Sequence, residues 1–254
     1  MELSQAILLG ILQGATEWLP VSSSGHLALA QQFMGLQVPI AFDVLLHLGT
    51  LAAVILYYRE KLYRIIYAIL HVDFKGDEGK IILFVIVGSI PTAIIGFAFH
   101  DFFESMFSSS LLVGIALILT GCILFATRFF KGKRKPELID ALFMGFAQGL
   151  AVAPGISRSG WTISTGVIRG VEKEKATDYS FMLSIPALIG ATIIEGRKIA
   201  LSGIDWAIVT IGVVVALFVG YASIAILIRF VKRGNLHLFA FYCWAIGLIA
   251  IITS

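Results

Sequence analysis

The stretch GILQGATEWLPVSSSGH, residues 10–26, places glutamine, glutamate, three serines and a histidine inside an apolar part of the chain. A second stretch, GFAQGLAVAPGISRSGW at 145–161, aligns with it without a gap. The identical pairs are Gly10/Gly145, Gln13/Gln148, Gly14/Gly149, Ser22/Ser157, Ser24/Ser159 and Gly25/Gly160. Asp43 and Asp178 match further along at the same spacing. The sequence therefore predicts two copies of one structural unit, each broken by glycine, serine and proline.

The composition predicts a membrane protein. Of the 254 residues, 58% are hydrophobic and 14% charged, and the mean hydropathy is +0.93. Soluble domains are roughly half apolar and a quarter charged. No polar stretch is long enough to fold alone, so we expect a single integral membrane domain over residues 1–254, with repeat one at about 1–130 and repeat two at about 138–254. Cys122 and Cys243 lie in apolar runs, and we expect both to be small buried side chains.

The fold class expected is all-α and polytopic, because a lipid-exposed chain must satisfy its backbone hydrogen bonds internally. Six runs are long enough to cross a bilayer: 42–58, 81–100, 111–128, 178–195, 205–228 and 237–253. Residues 1–35 and 138–168 are interrupted in the middle, which favours two re-entrant helix–loop–helix segments.

The basic residues predict the orientation. Four loops, at 59–80, 128–137, 169–175 and 229–233, hold 16 of the 19 lysines and arginines. With six crossings and two re-entrant segments, all four loops fall on one side, which the positive-inside rule makes cytoplasmic. The first re-entrant segment then enters from the outer face and the second from the cytoplasmic face. Each repeat has three crossings, so the two copies form an inverted-topology repeat.

Comparison of the two copies distinguishes positions that serve the fold from positions that carry reactive side chains. Glutamate, serine and histidine at Glu17, Ser23 and His26 align with Val152, Arg158 and Trp161, so these reactive side chains occur in one copy only. An ionisable residue within a membrane costs about 2.5–3.5 kcal/mol on insertion scales, so it calls for a partner or a function. We therefore expect functional roles for Glu17, His26 and Arg158. The alternative is that Glu17 and Arg158 only pair with each other across the repeats.

Three other polar residues near the repeats carry weaker functional signals. For His47, a plain polar contact inside the bundle is at least as favoured as a role in the site. Asp43 and Asp178 precede spans in both copies and are expected to be helix caps or scaffold contacts. The basic run KGKRK at 131–135 is interpreted as a cytoplasmic anchor, not as a nucleic-acid-binding patch.

The two broken segments are typical of anion sites. Gln13 and Glu17 share one helix face, and the serines that follow precede a new helix whose free N–H groups can bind an anion. Arg158 supplies a fixed fork of donors suited to phosphate oxygens. A phosphate or diphosphate ligand is therefore expected, and the candidate substrate-binding residues are Gln13, Ser22, Ser24, Gly25, Gln148, Gly155, Ser157, Ser159 and Thr162.

The motifs QGATEWLPVSSSGH and PGISRSGWT resemble the two signature segments of the undecaprenyl pyrophosphate phosphatase family, the bacitracin-resistance type of membrane diphosphatase. The resemblance covers essentially the whole chain. It implies removal of the terminal phosphate of undecaprenyl diphosphate, which recycles the lipid carrier for peptidoglycan and other wall polymers, and dependence on a divalent cation. The family's first glutamate position is Gln13 here, which leaves Glu17 as the strong acid of the motif.

The expected mechanism uses Ser23 as nucleophile, His26 as general base or acid, and Arg158 as the clamp on the phosphoryl charge. Glu17 and Gln13 would bind Mg²⁺ or Ca²⁺, since these cations prefer oxygen ligands. Water as the nucleophile remains open. So does a different class of function, an inverted-repeat transporter or flippase of lipid phosphates or other anions.

The expected location is the bacterial plasma (inner) membrane, with the active site opening to the outer, periplasmic face. The expected partners are the lipid substrate and the membrane, and no nucleic acid. The sequence allows a homodimer and does not decide the oligomeric state.

Overall fold

In the computed structural model, residues 2–36, 40–74, 76–199 and 206–254 are described. These residues form helices and no strand, which confirms the predicted all-helical class. The helices are α1 (Leu3–Trp18), α2 (Ser23–Phe33), α3 (Ile40–Tyr57), α4 (Arg59–Leu70), α5 (Asp77–Ala98), α6 (His100–Met106), α7 (Ser110–Ala126), α8 (Leu138–Leu150), α9 (Arg158–Ile168), α10 (Lys173–Ile199), α11 (Trp206–Lys232) and α12 (Phe239–Ile252). Short 3₁₀ turns follow α7 and precede α12.

Several of these helices are long and apolar enough to cross a bilayer, as expected of a polytopic membrane protein. Within the described ranges, four qualify by length and composition: Asp77–Ala98, Ser110–Phe129, Lys173–Ile194 and Trp206–Lys232. A fifth is obtained if α3 is counted together with α4. The apolar helix at Leu236–Ile252 is shorter. The count of six crossings therefore stays a prediction.

The two interrupted segments each form a pair of short helices. α1 packs against α2, and α8 packs against α9. Both pairs are broken at the proline-containing stretch identified in the sequence, at 19–22 and at 151–157. These pairs have the helix–loop–helix form expected of re-entrant segments.

The segment 59–80 was expected to be a loop, and this is wrong for its first half. α4 follows α3 with a bend of 78°. Its large apolar side chains Tyr63, Ile66 and Leu70 are exposed, while Arg59, Lys61 and Arg64 lie on the same short helix. A basic helix that keeps one apolar face uncovered is typical of a helix lying in the membrane interface. Lys75 lies outside the described residues.

Helices from one half of the chain pack against helices from the other half. α1 packs along α11, α8 packs along α5, and α7 packs along α12. The first two contacts depend on glycine: a Cβ atom on Gly10 would lie 2.5 Å from the carbonyl oxygen of Gly212, and one on Gly145 would lie 2.1 Å from that of Gly88. The glycines shared by the two broken segments therefore let each segment approach a long helix of the other half.

The four basic segments contact one another at one end of the bundle. Lys135 pairs with Asp77 at 2.9 Å, the backbone of Arg134 bridges to that of Val171, and Lys173 Nζ lies 3.5 Å from the carbonyl oxygen of Gly234. α5 and α10 both begin at this end and run away from it. This end of the bundle therefore carries the excess of positive charge.

Arg134 has a structural role beyond the expected anchor. Its two terminal nitrogens donate to the carboxylate of Asp140 at 2.5 and 2.8 Å, and Arg169 donates to the same carboxylate at 2.7 Å. Asp140 is fully buried, and its hydrogen bond raises the pKa of Arg134 above the ordinary value. The three charges fix the start of α8 to the end of α9.

The expectation for the cysteines is correct for Cys243, which is buried, and wrong for Cys122, which is exposed on α7. An apolar run in a membrane protein has a lipid-facing side as well as a buried side, so apolar surroundings in sequence do not imply burial.

The glycine contact between α5 and α8 predicts a large effect of one methyl group. Gly145→Ala would force the helices apart, and we expect it to lower the free energy of unfolding by about 1–3 kcal/mol, as overpacking does. The measurement is the thermal unfolding midpoint in detergent. Gly190→Ala is the matched control, because a Cβ atom there meets no atom within 4 Å. Equal midpoints for the two variants would contradict the close approach.

Candidate active site

The first helix break is formed by Pro20 and the serines that follow it. α1 ends at Trp18, and the fixed geometry of Pro20 prevents its continuation. Ser22 has a left-handed backbone conformation, with φ at 69°, and its hydroxyl accepts a hydrogen bond from the N–H of Gly25 at 3.2 Å. Ser22 therefore caps α2, and Ser23 occupies the first turn of that helix.

The second break follows the same plan. α8 ends at Leu150, Gly155 has φ at 92°, and the hydroxyl of Ser157 accepts from the N–H of Gly160 at 3.1 Å. Arg158 is the first residue of α9. The caps therefore place Ser23 and Arg158, which align in the repeat, at equivalent points of two helix starts.

The two turns are in direct contact. The Ser22 hydroxyl also accepts from the N–H of Gly155 at 3.1 Å, and a Cβ atom on Gly25 would lie 2.9 Å from the backbone of Gly155. Gly155 at this point must have both the left-handed conformation and no side chain. The lack of a side chain at Gly25 and Gly155 thus allows the two turns to approach each other closely.

Glu17 lies between the two helix starts. Its Oε1 accepts from Nη2 of Arg158 at 2.5 Å, and its Oε2 accepts from the hydroxyl of Ser23 at 2.5 Å. Both charged side chains are largely buried, and the guanidinium also lies over the ring of Trp18 at 4.8 Å. Nη1 of Arg158 is buried and has no hydrogen-bond partner within the described residues. The predicted functional residues Glu17, Ser23 and Arg158 are thus brought together from both repeats.

Two further side chains contact Glu17 Oε2. Gln13 donates from Nε2 at 3.2 Å, as its position one turn earlier on α1 allows, and its buried Oε1 has no partner among the described residues. Nε2 of His47 lies 3.4 Å from the same carboxylate oxygen, while Nδ1 of His47 binds the carbonyl oxygen of Asp43 at 2.7 Å. His47 is therefore a member of the site, which the sequence interpretation left undecided.

His26 is placed differently from the expectation. Its Nδ1 binds the carbonyl oxygen of Ser22 at 2.8 Å, and its Nε2 binds the hydroxyl of Tyr242 at 2.9 Å, with the two rings stacked. Position 26 is one turn into α2, and the ring points back along the helix toward α12. Both ring nitrogens are thus engaged away from Ser23 and Glu17, although the three residues are close in sequence.

The structural interpretation of the two aspartates agrees with their contacts. The Asp43 carboxylate accepts from Gln31 at 2.7 Å. Asp178 accepts from Tyr58 at 2.9 Å and from Lys61 at 2.6 Å. Both therefore connect helices outside the group around Glu17.

A cavity of about 470 Å³ adjoins this group. Its polar lining includes Glu17, Ser22, Ser23, Ser24, His47, Gln148, Ser157 and Arg158. Its other walls are largely apolar, formed by the later parts of α5 and α10 and by α6. Since α5 and α10 begin at the basic end of the bundle, the cavity extends toward the opposite end.

The remaining candidate residues divide between this cavity and the scaffold. Ser24 and Ser157 line the cavity, as does Gln148. The Nε2 of Gln148 donates to the carbonyl oxygen of Leu183, and its Oε1 has no partner in the part of the chain that the structure describes. Ser159 donates to the carbonyl oxygen of Leu19, and Thr162 to that of Arg158. The last two are fully buried outside the cavity lining and hold the turns in place.

His47 could have been found with the criterion that identified the other residues. At the spacing of the repeat it aligns with Met182, so it too is a polar residue present in one copy only. The sequence interpretation applied this comparison within the broken segments and did not extend it to α3.

The ion pair of Glu17 with Arg158 predicts non-additive effects on stability. Glu17→Gln leaves the buried guanidinium without its carboxylate, and we expect a loss of about 3–5 kcal/mol in unfolding free energy, as for other broken buried pairs. Adding Arg158→Gln should recover part of that loss. A double-mutant cycle monitored by unfolding in detergent measures the coupling, and additive losses would contradict it.

Comparison with known proteins identifies the family. The family model described as bacitracin resistance protein BacA matches residues 6–249. Proteins named undecaprenyl-diphosphatase are 43% identical in Desulforapulum autotrophicum, over 100% of this chain and 99% of the relative, and 41% identical in Carboxydothermus hydrogenoformans, over 98% and 96%. A third, from Korarchaeum cryptofilum, is 40% identical over 100% and 99%. With a match along nearly its whole length, the chain belongs to the BacA family.

Proposed function

We propose that this protein is a membrane enzyme that hydrolyses undecaprenyl diphosphate to undecaprenyl phosphate and inorganic phosphate. The observation that carries this function is the convergence of Glu17, Ser23 and Arg158 at one polar end of a largely apolar cavity. The relatives named undecaprenyl-diphosphatase support the same substrate and reaction. Removal of the terminal phosphate returns the lipid carrier to cell-wall polymer synthesis.

The cavity suits a ligand with a charged head and an apolar tail. Arg158 lines the cavity and binds Glu17 through Nη2, and its buried Nη1 has no hydrogen-bond partner within the described residues. A phosphoryl oxygen can accept from Nη1 without loss of the ion pair. We assign Arg158 to the terminal phosphoryl group, and we assign the apolar walls formed by α5, α6 and α10 to the first part of the prenyl chain.

We assign the nucleophile to Ser23. Its Oγ would form a bond to the terminal phosphorus while the bond from that phosphorus to the bridging oxygen breaks, which releases the lipid monophosphate. The hydroxyl proton passes to Oε2 of Glu17, its hydrogen-bond acceptor at 2.5 Å. Water then attacks the phosphoseryl group and releases inorganic phosphate and the free serine. In the competing route, water attacks the substrate directly and Glu17 accepts its proton.

In the sequence analysis, His26 is expected to be the general base or acid. Since both its ring nitrogens are bound to Ser22 and Tyr242, we assign His26 instead to holding the serine turn against α12. Proton transfer from the nucleophile is assigned to Glu17, the group in contact with it.

A divalent cation fits the residues around Glu17. Oε1 of Gln13 is buried and has no hydrogen-bond partner in the described ranges, and the Gln13 amide lies beside a carboxylate. Amide and carboxylate oxygens are ligands that Mg²⁺ and Ca²⁺ prefer. We propose that Gln13 and Glu17 hold the cation. When bound, it would offset the negative charge of the diphosphate.

The orientation follows from the basic end of the bundle. We place that end in the cytoplasm by the positive-inside rule, so the cavity opens toward the outer face of the bacterial plasma membrane. A homodimer is a separate proposal, and the mass of the detergent-solubilised protein tests it.

The function predicts metal-dependent release of inorganic phosphate. We expect purified protein to release phosphate from undecaprenyl diphosphate with Mg²⁺ or Ca²⁺, and Glu17→Ala, which loses the proton acceptor and a metal ligand, to release almost none. The measurement is colorimetric phosphate release in detergent, with circular dichroism to verify folding. A well-folded wild type without release would favour the transporter or flippase instead, although the names of the relatives do not favour that class.

The nucleophile is tested by Ser23→Ala. A true nucleophile should account for several orders of magnitude in kcat, because its loss removes the covalent route. Ser223→Ala is the matched control, a buried serine whose hydroxyl binds only the carbonyl oxygen of Val219 within α11. If Ser23→Ala retains most of its kcat, water is the nucleophile.

A further inference from the structure

His47 is held in an orientation typical of a metal ligand. Its Nδ1 must donate its hydrogen to the carbonyl oxygen of Asp43, since a carbonyl can only accept. Nε2 is then the ring nitrogen that can bind a cation; it lies 3.4 Å from Oε2 of Glu17, and His47 lines the cavity. Metal-binding histidines almost always donate their other ring N–H to a carbonyl or carboxylate in this way.

Polar atoms from three side chains meet at this point. Nε2 of His47 lies 3.4 Å from Oε2 of Glu17. Nε2 of Gln13 donates to the same oxygen at 3.2 Å, and Oε1 of Gln13 has no hydrogen-bond partner within the described residues. Because an amide can present either its oxygen or its nitrogen at a given place, a half-turn brings the oxygen of Gln13 to face Glu17.

The spacing matches ligands of one cation. Two ligand atoms about 2.0–2.2 Å from a metal lie about 2.8–3.1 Å from each other at the right angles of octahedral coordination and about 3.3–3.6 Å at tetrahedral angles. The distances from Glu17 Oε2 to His47 Nε2 and to the Gln13 amide, 3.4 and 3.2 Å, lie between the shortest and the longest of these values.

We propose that His47 Nε2 is a third protein ligand beside Glu17 and Gln13, and that this site therefore takes a first-row transition dication such as Mn²⁺ in preference to Mg²⁺ or Ca²⁺. The inference rests on the proposed function for the placement of the cation at Glu17 and Gln13. Oxygen ligands alone suit Mg²⁺, Ca²⁺ and Mn²⁺ alike, whereas imidazole adds affinity for transition metals. The nitrogen ligand thus makes the difference in selectivity.

Mn²⁺ itself is the probe, because its electron spin reports binding without turnover. Titration of the full-length protein followed by EPR gives the Kd, and pulsed EPR detects a nitrogen coordinated to the bound ion. We expect a histidine nitrogen coupling in the wild type, confirmed by labelling histidine with the heavier nitrogen isotope. We expect Mn²⁺ to be displaced by Zn²⁺ at lower concentration than by Ca²⁺.

His47→Gln should abolish the nitrogen coupling and weaken Mn²⁺ binding at least about tenfold, since even supporting residues outside the ligand set contribute that much. His47→Asn is a second variant should the first fail to fold. His100→Gln is the matched control, because His100, Asp101 and Glu104 form another group at the cavity rim that could hold a metal ion. It should leave both the coupling and the Kd unchanged.

Three results would overturn the inference: bound Mn²⁺ without nitrogen coupling, coupling that persists in His47→Gln, or no Mn²⁺ binding. The first would make His47 an imidazolium that pairs with Glu17. Phosphate release is measured on the same samples, so the two proposals can fail separately. Hydrolysis without coupling contradicts the ligand, and coupling without hydrolysis contradicts the function.

Discussion

A helix that ends among apolar side chains leaves backbone N–H groups with no water to bind, and this constraint determines the centre of the molecule. Ser22 and Ser157 satisfy those groups at the two breaks, each by capping the helix that follows it. The Ser22 hydroxyl also accepts from Gly155, so the two turns share one acceptor. Because the two turns are in contact, Glu17 lies between the side chains of Ser23 and Arg158, which begin the two helices.

The repeat supplies a symmetric scaffold for an asymmetric reaction. Glycines, caps and long-helix contacts occur in pairs, as in the packing of Gly10 on Gly212 and of Gly145 on Gly88. The carboxylate of Glu17, the hydroxyl of Ser23 and the guanidinium of Arg158 each occur in only one of the two copies. A diphosphate is itself asymmetric, with a terminal phosphoryl group on one side and a lipid on the other. The paired features thus form the scaffold of the pocket, and the positions that differ between the two copies supply its acid, hydroxyl and guanidinium.

The sequence predicted the helical class, the two broken segments and the meeting of Glu17, Ser23 and Arg158. Long apolar runs, their interruption by glycine, proline and serine, and the constant spacing between the two copies can all be read directly from the sequence. It did not predict where two of the side chains point. His26 is adjacent to the serines in sequence, yet its ring turns toward Tyr242. His47 is thirty residues from Glu17 in the chain and touches it, because α3 packs beside α1. Proximity in sequence places a backbone, whereas packing decides where a side chain points.

The shared acceptor has a consequence for biosynthesis. Ser22 and Gly155 are 133 residues apart, so the first turn leaves the ribosome long before its partner exists. The native packing of α1 forms later still, because its main packing partner, α11, is synthesised near the end of the chain. During that interval the polar side chains of the first segment have neither their native contacts nor water in the lipid. The N-terminal segment must therefore be sheltered by the insertion machinery, or remain at the membrane surface, until most of the chain has been made.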